Sequence, residues 1–303
     1  MGKIEFETTT CSVCGSAKCA SWFTNLKDRW FPCEETFTLV RCNECGHVYQ
    51  NPRPTMSTLR FCYPSDYQPY HPMRHGVSAM LKRWVLEREV RECVKHKSPP
   101  AAILEIGCAH GDFLEKLRTQ GFKVAGVEFD EDVAKRARTK NLDVSAGTLR
   151  EACLPSSSFD MVYMKHVIEH LPDVRETLAE VHRILKPGGY LLVATPNIYC
   201  PLVDCFGADA LDFDIPRHLN LYSSQGLERQ LREAGFAIAS VNHDPVPNSW
   251  VRSCHLRLER YKWARAFFRL ENPFALLLFT PLSGILALLR RSSRIRVWAK
   301  RHE

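Results

Sequence analysis

The chain has 303 residues, a formal net charge of +7, 45% hydrophobic residues and 25% charged residues. This is ordinary globular composition, which excludes a disordered or fibrous chain, and the length suffices for one large domain or two modest ones. The first residues contain no apolar signal core, so we expect a cytoplasmic protein.

Four of the 13 cysteines differ from the rest because they form two C-x-x-C-G turns, Cys11-Ser-Val-Cys14-Gly and Cys42-Asn-Glu-Cys45-Gly. Two such turns present four thiolates to one ion, so these residues predict a closed, structural zinc site. Four unrelated thiols or a redox pair are the alternatives. The other cysteines are scattered, which argues against a secreted disulfide framework.

The residues before the main domain divide into two parts. We assign 1–75 to a zinc-ribbon region and a linker rich in proline and tyrosine, which includes Tyr67 and Tyr70. These tyrosines either pack the linker on the main domain or line a substrate pocket. Residues 76–100 form a helical linker, with a helix expected over 77–96, and it ends at two consecutive prolines.

From residue 101 the sequence alternates between apolar strands and helices, which indicates a parallel sheet covered on both faces. Strands are predicted at 102–106, 123–128, 142–146, 159–164 and 189–195. Helices are predicted at 111–120, 131–140, 174–185 and 224–234, and an antiparallel strand pair at 236–244 and 294–300. We assign 101–245 to the core domain and 246–303 to a hydrophobic helical insertion, the last strand and a basic tail.

A tight turn rich in small residues follows the first strand of this domain. The stretch 103–113, Ile-Leu-Glu-Ile-Gly-Cys-Ala-His-Gly-Asp-Phe, predicts a buried strand, a glycine turn and a helix. The next strand, 124–128, ends in Glu128, whose carboxylate can accept hydrogen bonds from both hydroxyls of a ribose. The two stretches together predict a nucleotide-binding βαβ unit.

The spacing of the small residues indicates which nucleotide binds. A dinucleotide site needs G-x-G-x-x-G, because the pyrophosphate approaches backbone N–H groups at a helix N-terminus. Here the small residues are Gly107, Ala109 and Gly111, and the next residue is Asp112, an acid that would repel a pyrophosphate. Together with Glu105, the acids suit a cationic, phosphate-free adenosine compound, as S-adenosylmethionine is.

This pattern resembles the class I S-adenosylmethionine-dependent methyltransferases, of the type with an N-terminal zinc-binding region, which includes sugar C-methyltransferases. The resemblance covers about 101–245 and implies a Rossmann-like, seven-stranded, mostly parallel sheet with helices on both faces. It also implies S-adenosylmethionine as cofactor. The family usually has Asp where this chain has Thr148, at the expected adenine contact. The implied cofactor-binding residues are Glu105, Gly107, Cys108, Ala109, His110, Gly111, Phe113, Glu128, Phe129, Gly147, Thr148 and Lys165.

Two histidines are candidates for the catalytic base that a hydroxyl or carbon acceptor requires. His166 follows the fourth strand in Lys-His-Val-Ile-Glu-His, and His170 is expected to be a core residue. His218 lies in Asp-Ile-Pro-Arg-His-Leu, where Arg217 would anchor a phosphorylated substrate. The alternative for His218 is local hydrogen bonding. A zinc-protease signature is disfavoured, since H-x-x-E-H directly follows a strand.

The segment 273–289 contains no charged residue and is followed by six basic residues between 290 and 301. It is short for a membrane span and contains a proline. It either covers the sheet or a homo-oligomer face, or makes peripheral contact with the inner membrane surface through 273–301.

The function expected from these features is methyl transfer from S-adenosylmethionine to oxygen or carbon of a small-molecule or glycan-like acceptor, such as a nucleotide sugar. An RNA or DNA methyltransferase is the first alternative, favoured by the positive charge and the ribbon. However, this chain lacks the Asn/Asp-Pro-Pro-Tyr pattern that such enzymes have after the fourth strand, so nucleic acid is not the expected partner. A non-catalytic zinc-ribbon protein that binds S-adenosylmethionine is the second alternative.

Overall fold

The computed structural model describes residues 3–29, 31, 33–63, 77–270 and 272–302. Tyr67 and Tyr70 of the predicted linker lie outside the described residues. The described chain contains three sheets, of two, four and seven strands.

The strands are β1 (Phe6–Glu7), β2 (Cys19–Leu26), β3 (Phe37–Cys42), β4 (Val48–Gln50), β5 (Arg53–Pro54), β6 (Ala102–Ile106), β7 (Lys123–Glu128), β8 (Asp143–Ala146), β9 (Phe159–Lys165), β10 (Leu185–Pro196), β11 (Asn220–Leu221), β12 (Phe236–His243) and β13 (Arg294–Arg301). The helices are α1 (Met56–Leu59), α2 (Val77–His96), α3 (Asp112–Thr119), α4 (Glu131–Arg138), α5 (Val174–Ile184), α6 (Pro201–Phe206), α7 (Ser224–Glu233), α8 (Pro247–Arg257), α9 (Lys262–Phe267) and α10 (Pro273–Leu288).

The seven-stranded sheet has the order β12-β13-β10-β9-β6-β7-β8. Strands β6 to β10 are parallel, and β13 runs antiparallel to both of its neighbours. The predicted fold class is therefore confirmed, including the final antiparallel pair. One boundary differs, because β10 begins at Leu185, where we expected a helix end and a turn. Leu185 pairs with Phe159, and the register shifts before Tyr190.

Alternating apolar residues explain why helices cover both faces of this sheet. Leu104, Val162 and Val193 belong to a core cluster that also contains the apolar residues of α5 and α7. Ile103 and Leu192, each next to one of these positions, belong instead to a cluster shared with α2 and α3. Since successive strand residues point to opposite faces, the buried strands must be apolar throughout.

The N-terminal ribbon shares a sheet with the core domain. Its four strands have the order β11-β4-β3-β2, and β11 belongs to the long connection after β10. Asn220 pairs with Tyr49, and Leu221 pairs with Val48. The ribbon is therefore joined by backbone hydrogen bonds to the loop that carries His218.

The insertion before the last strand consists of α8, α9 and α10. Trp250 of α8 stacks on Phe279 of α10, with ring centroids 5.8 Å apart. Within the described ranges, none of the helices combines the length and the apolar character that crossing a bilayer requires.

Candidate functional site

The candidate site lies where the order in which strands are added to the sheet reverses, between β6 and β9. Strands β6, β7 and β8 proceed towards one edge, and the chain then returns to place β9 on the other side of β6. Ligands of open parallel sheets bind in the crevice that such a reversal leaves at the carboxyl ends of the strands. Here the glycine turn follows β6, Lys165 ends β9 and His166 follows it, so these residues lie at the carboxyl ends of adjacent strands.

The glycine turn is tightly packed and has no room for larger residues. Gly107 has φ +71°, and a Cβ there would lie 2.5 Å from Val167 Cγ2. Gly111 also has φ +71°, and its Cβ would lie 2.3 Å from Leu142 Cδ1. The contact with Val167 shows that the segment after β9 packs directly against the turn.

The carboxylate of Glu128 is held by the turn of the neighbouring strand. Its two oxygens accept hydrogen bonds from the backbone N–H of Ala109, at 2.8 Å, and of Asp130, at 3.2 Å. Burial raises the pKa of Glu128, while these backbone hydrogen bonds oppose the shift. The side chain is thus fixed at the end of β7.

Glu105 is buried near the ion pair between Lys165 and Glu89. Its Oε2 atom is buried and has no hydrogen-bond partner within the described part of the chain. Burial, and then the charge of Glu89 on α2, raises the pKa of Glu105 well above its usual range. Glu89 in turn accepts a hydrogen bond from Lys165 Nζ. Because burial favours the neutral form of Glu105, a cationic ligand beside it would favour the carboxylate.

The other predicted cofactor residues differ in their burial and in their hydrogen bonds. Cys108 and Phe113 are buried, at 4% and 5% exposure, and the Phe113 ring packs against Tyr163, so both contribute to the core. Phe129 is 53% exposed. Thr148 donates its hydroxyl to Glu151, and neighbouring Gly147 has φ +104°.

Asp112 forms an ion pair that the sequence did not indicate. Its carboxylate accepts a hydrogen bond from Lys140 Nζ at 2.6 Å. Lys140 also pairs with Glu115, at 3.2 Å, so these two acids share one positive charge.

His166 is supported by a carboxylate that sequence reasoning did not assign. His166 Nδ1 lies 3.1 Å from Glu169 Oε1, and Thr195 donates a hydrogen bond to Glu169 Oε2 at 2.9 Å. Burial, followed by the charge of Arg294, lowers the pKa of His166 to about 4. The imidazole is therefore neutral at neutral pH and can accept a proton at Nε2 when Nδ1–H is donated to Glu169.

His218 is more enclosed than His166. It is 7% exposed, and its Nδ1 atom lies 2.8 Å from the carbonyl oxygen of Asp212. Gln50 of β4 donates two hydrogen bonds of 2.8 Å to this loop, to the carbonyls of Pro216 and His218. The His170 ring lies edge-on to the His218 ring, with centroids 4.8 Å apart.

Arg217 does not anchor a substrate anion as we expected. The side chain is fully buried and forms ion pairs of 2.8 Å with Asp28 of the ribbon region and with Asp214. Two carboxylates satisfy the guanidinium, so Arg217 joins the loop to the ribbon.

The four knuckle cysteines form a compact group. Cys11 Sγ lies 3.5 Å from Cys45 Sγ, and Cys14 Sγ lies 3.5 Å from Cys42 Sγ. All four sulfurs are within 4.8 Å of one another. Zn–S bonds of about 2.3 Å would place tetrahedral sulfurs about 3.8 Å apart, so the group has the size of a zinc site.

Sequence reasoning missed three residues of this region, namely Glu89, Glu169 and Gln50. Glu169 stands inside H-x-x-E-H, so its spacing from His166 was a usable signal. Glu89 belongs to a helix of mixed polarity, and Gln50 lies more than 160 residues from the loop it holds. Nothing local in the sequence indicates the roles of these two.

Comparison with known proteins identifies the family. A family model described as a methyltransferase domain matches residues 74–241. The chain is 36% identical over 117 residues to a probable S-adenosylmethionine-dependent methyltransferase from Mycolicibacterium smegmatis, which covers 38% of this chain and 46% of that protein. It is 27% identical over 198 residues to a ubiquinone biosynthesis O-methyltransferase from Thiobacillus denitrificans, covering 60% of this chain and 81% of that protein.

Solved structures show the same fold. A methyltransferase from Archaeoglobus fulgidus has a TM-score of 0.50 at 19% identity, covering 72% of this chain and 94% of that chain. Phosphoethanolamine N-methyltransferase 2 from Haemonchus contortus, in complex with S-adenosylmethionine, has a TM-score of 0.54 at 17% identity, covering 84% and 63%. Since the family match spans more than half of the sequence and the sheet has the expected topology, the chain belongs to the class I S-adenosylmethionine-dependent methyltransferases.

Proposed function

We propose that this enzyme methylates a hydroxyl group of a small-molecule acceptor and that His166 is the general base. The observation that carries the proposal is the contact between His166 and the buried carboxylate of Glu169, at the carboxyl end of β9. The similarity to ubiquinone biosynthesis O-methyltransferases supports an oxygen acceptor.

The residues present fit S-adenosylmethionine. The unpaired Oε2 of Glu105 suits the ammonium of its amino-acid tail. Glu128, fixed by backbone N–H groups, retains lone pairs for ribose hydroxyls. When bound, this cofactor supplies a methyl group on a sulfonium, an already activated leaving group.

The protein then has two tasks, to align the acceptor and to remove its proton. A hydroxyl is a weak nucleophile at neutral pH, so a neutral imidazole within hydrogen-bond reach would increase its reactivity. Glu169 is a positioning residue, because its hydrogen bond from Nδ1–H selects the tautomer with a free Nε2. Thr195 holds Glu169 in turn.

The substitution His166→Asn tests this assignment, because the asparagine amide can still donate to Glu169 but cannot accept a proton. We expect kcat to fall by roughly 10²- to 10⁴-fold with an unchanged Kd for S-adenosylmethionine. The assay follows labelled methyl transfer to a panel of phenols, quinols and nucleotide sugars, and the Kd is measured by calorimetry. The matched variant His302→Asn changes an exposed histidine.

Transfer by the His166→Asn variant at the wild-type rate would exclude His166 as the base and leave His218 as the remaining candidate. Label recovered on carbon, or on RNA in preference to the small molecules, would overturn the proposed acceptor class.

We also infer that Cys11, Cys14, Cys42 and Cys45 hold one structural zinc ion. The sulfur separations support this, as does the left-handed glycine after each C-x-x-C, which folds the knuckle around the ion. Four protein ligands would leave no open coordination position, so the ion has no part in methyl transfer.

A further inference from the structure

We propose that the outer face of α10, with the adjoining α9 segment, docks this enzyme on an anionic lipid bilayer. This proposal does not depend on the proposed methyl-transfer site or on the identity of the acceptor. The sequence predicted membrane contact through 273–301, and the structure restricts the candidate surface to residues 260–291.

Four of the six basic residues between 290 and 301 belong to a strand of the seven-stranded sheet. Residues 294–301 form β13 inside the seven-stranded sheet. Arg296 is 6% exposed and forms ion pairs with Glu92 and Asp244. The docking surface must therefore come from the helices before β13.

One side of α10 is apolar and exposed. The exposed large apolar side chains of α10 and of the residue that follows it lie within about 140° of the helix circumference. They are Phe274, Leu277, Leu278, Leu282, Ile285, Leu288 and Leu289. The opposite side contains the buried residues Ala275, Ser283 and Leu286. The exposed leucines and isoleucine thus form one continuous apolar stripe on the outside of the protein.

Exposed basic and aromatic side chains precede and follow the stripe along the chain. Arg290 and Arg291 follow the C-terminal end of α10, and before its N-terminal end the chain exposes Arg260, Lys262, Arg265 and Arg269. The sequence 260–291 contains only one acid, Glu271. Trp263 is 63% exposed and Tyr261 is 40% exposed.

This combination fits a lipid surface better than a protein partner. Arginines attract anionic headgroups, tryptophan and tyrosine prefer the interfacial layer, and leucines insert into the acyl region. At 16 residues and with Pro281 inside it, α10 would lie in the plane of the interface.

Vesicle flotation of the full chain tests the proposal. We expect binding to vesicles of phosphatidylcholine mixed with phosphatidylglycerol, weak binding to phosphatidylcholine alone, and loss of binding at high salt. The double variant Arg290→Gln/Arg291→Gln should bind about 30-fold more weakly, since each basic side chain at an anionic surface contributes roughly fivefold. The variant Leu278→Gln/Ile285→Gln should abolish binding.

Two matched variants control for charge and for apolar exposure. Lys123→Gln/Arg136→Gln removes two exposed basic residues elsewhere, and Trp84→Gln removes an exposed aromatic residue of α2. Both should bind vesicles as the wild type does. All variants should retain the Kd for S-adenosylmethionine, which shows that they are folded.

The proposal is overturned if wild-type protein ignores anionic vesicles or if the control variants lose binding equally. It is also overturned if light scattering shows a dimer that Leu278→Gln/Ile285→Gln converts to a monomer, because the stripe would then be a subunit interface.

Discussion

At the scale of single residues, the candidate site depends on Glu105, a carboxyl group whose ionised form is disfavoured by burial. Glu105 has a buried oxygen without a partner among the described residues, whereas Lys165 is already paired with Glu89. Burial favours the neutral form of Glu105 in the unliganded protein, and a cation bound beside it would favour the carboxylate instead. We therefore expect the candidate site to prefer a cationic ligand.

The substitution Glu105→Gln therefore separates binding from stability. We expect the Kd for S-adenosylmethionine to rise roughly 10- to 100-fold, because a charged hydrogen bond is lost. The free energy of unfolding of the unliganded protein should stay the same or increase, since the substitution removes a carboxyl group whose ionised form is disfavoured by burial. Calorimetry and urea denaturation measure the two quantities.

The exposed substitution Asp143→Asn is the matched control and should change neither quantity. An unchanged Kd for Glu105→Gln would show that Glu105 does not contact the cofactor.

At the scale of elements, the ribbon supports the loop that carries His218. Strand β4 pairs with β11, which begins two residues after this histidine, and Gln50 donates hydrogen bonds to the carbonyls of Pro216 and of His218 itself. The ion pair between Arg217 and Asp28 adds a third connection. Since β4 begins a few residues after the second knuckle, the proposed zinc ion would hold both the ribbon and the loop in place.

Removing the proposed zinc should therefore affect turnover more than cofactor binding. We expect one zinc per chain, and we expect Cys14→Ser to lower both the zinc content and the midpoint of thermal unfolding. Turnover should fall because the His218 loop loses its support. The Kd of the protein for S-adenosylmethionine should stay the same, because the glycine turn lies outside the ribbon. Metal analysis, calorimetry and the labelled-methyl assay measure these effects.

Cys153→Ser, at an exposed cysteine outside the knuckles, is the matched control and should retain zinc and turnover. Full turnover after chelation would contradict a supporting role of the ribbon.

At the scale of the whole molecule, half-buried neutral histidines connect stability to pH. Burial is the largest cause that lowers the pKa of His166 and of His170, each to about 4. The groups facing His170 are Glu169, Asp214 and His218, together with the Arg217 carbonyl and the Tyr63 hydroxyl. Because an unfolded histidine has a pKa near 6.5, the unfolded state binds more protons between the two values.

The free energy of unfolding should accordingly fall as the pH falls from about 6.5 to about 4. Each histidine contributes up to about 1.4 kcal/mol per pH unit within that window, and its contribution is constant above it. The free energy of unfolding, measured by urea denaturation at several pH values, should depend less steeply on pH in His170→Asn than in the wild type. In His302→Asn it should depend on pH as in the wild type. Equal slopes for all three proteins would contradict this account.

Local patterns in the sequence were sufficient for much of the fold. The alternation of strands and helices, the glycine turn and the two knuckles were each predicted within a few residues, because each depends on nearby periodicity or on a positive φ. The ends of β6 and β7 were predicted at the residues observed, at 106 and 128. The position of His166 after β9 followed from the same alternation.

Only the tertiary structure revealed the connections between distant segments. Gln50 and His218, Arg217 and Asp28, and Glu89 and Lys165 meet across long separations in sequence, and such pairs leave no periodic signal along the chain. Packing also decided that Arg217 pairs with Asp28 and Asp214, and that 294–301 form a strand inside the sheet. Sequence alone determined the chemistry available at the strand ends, whereas burial and long-range pairing decided which of those groups remain free for a ligand.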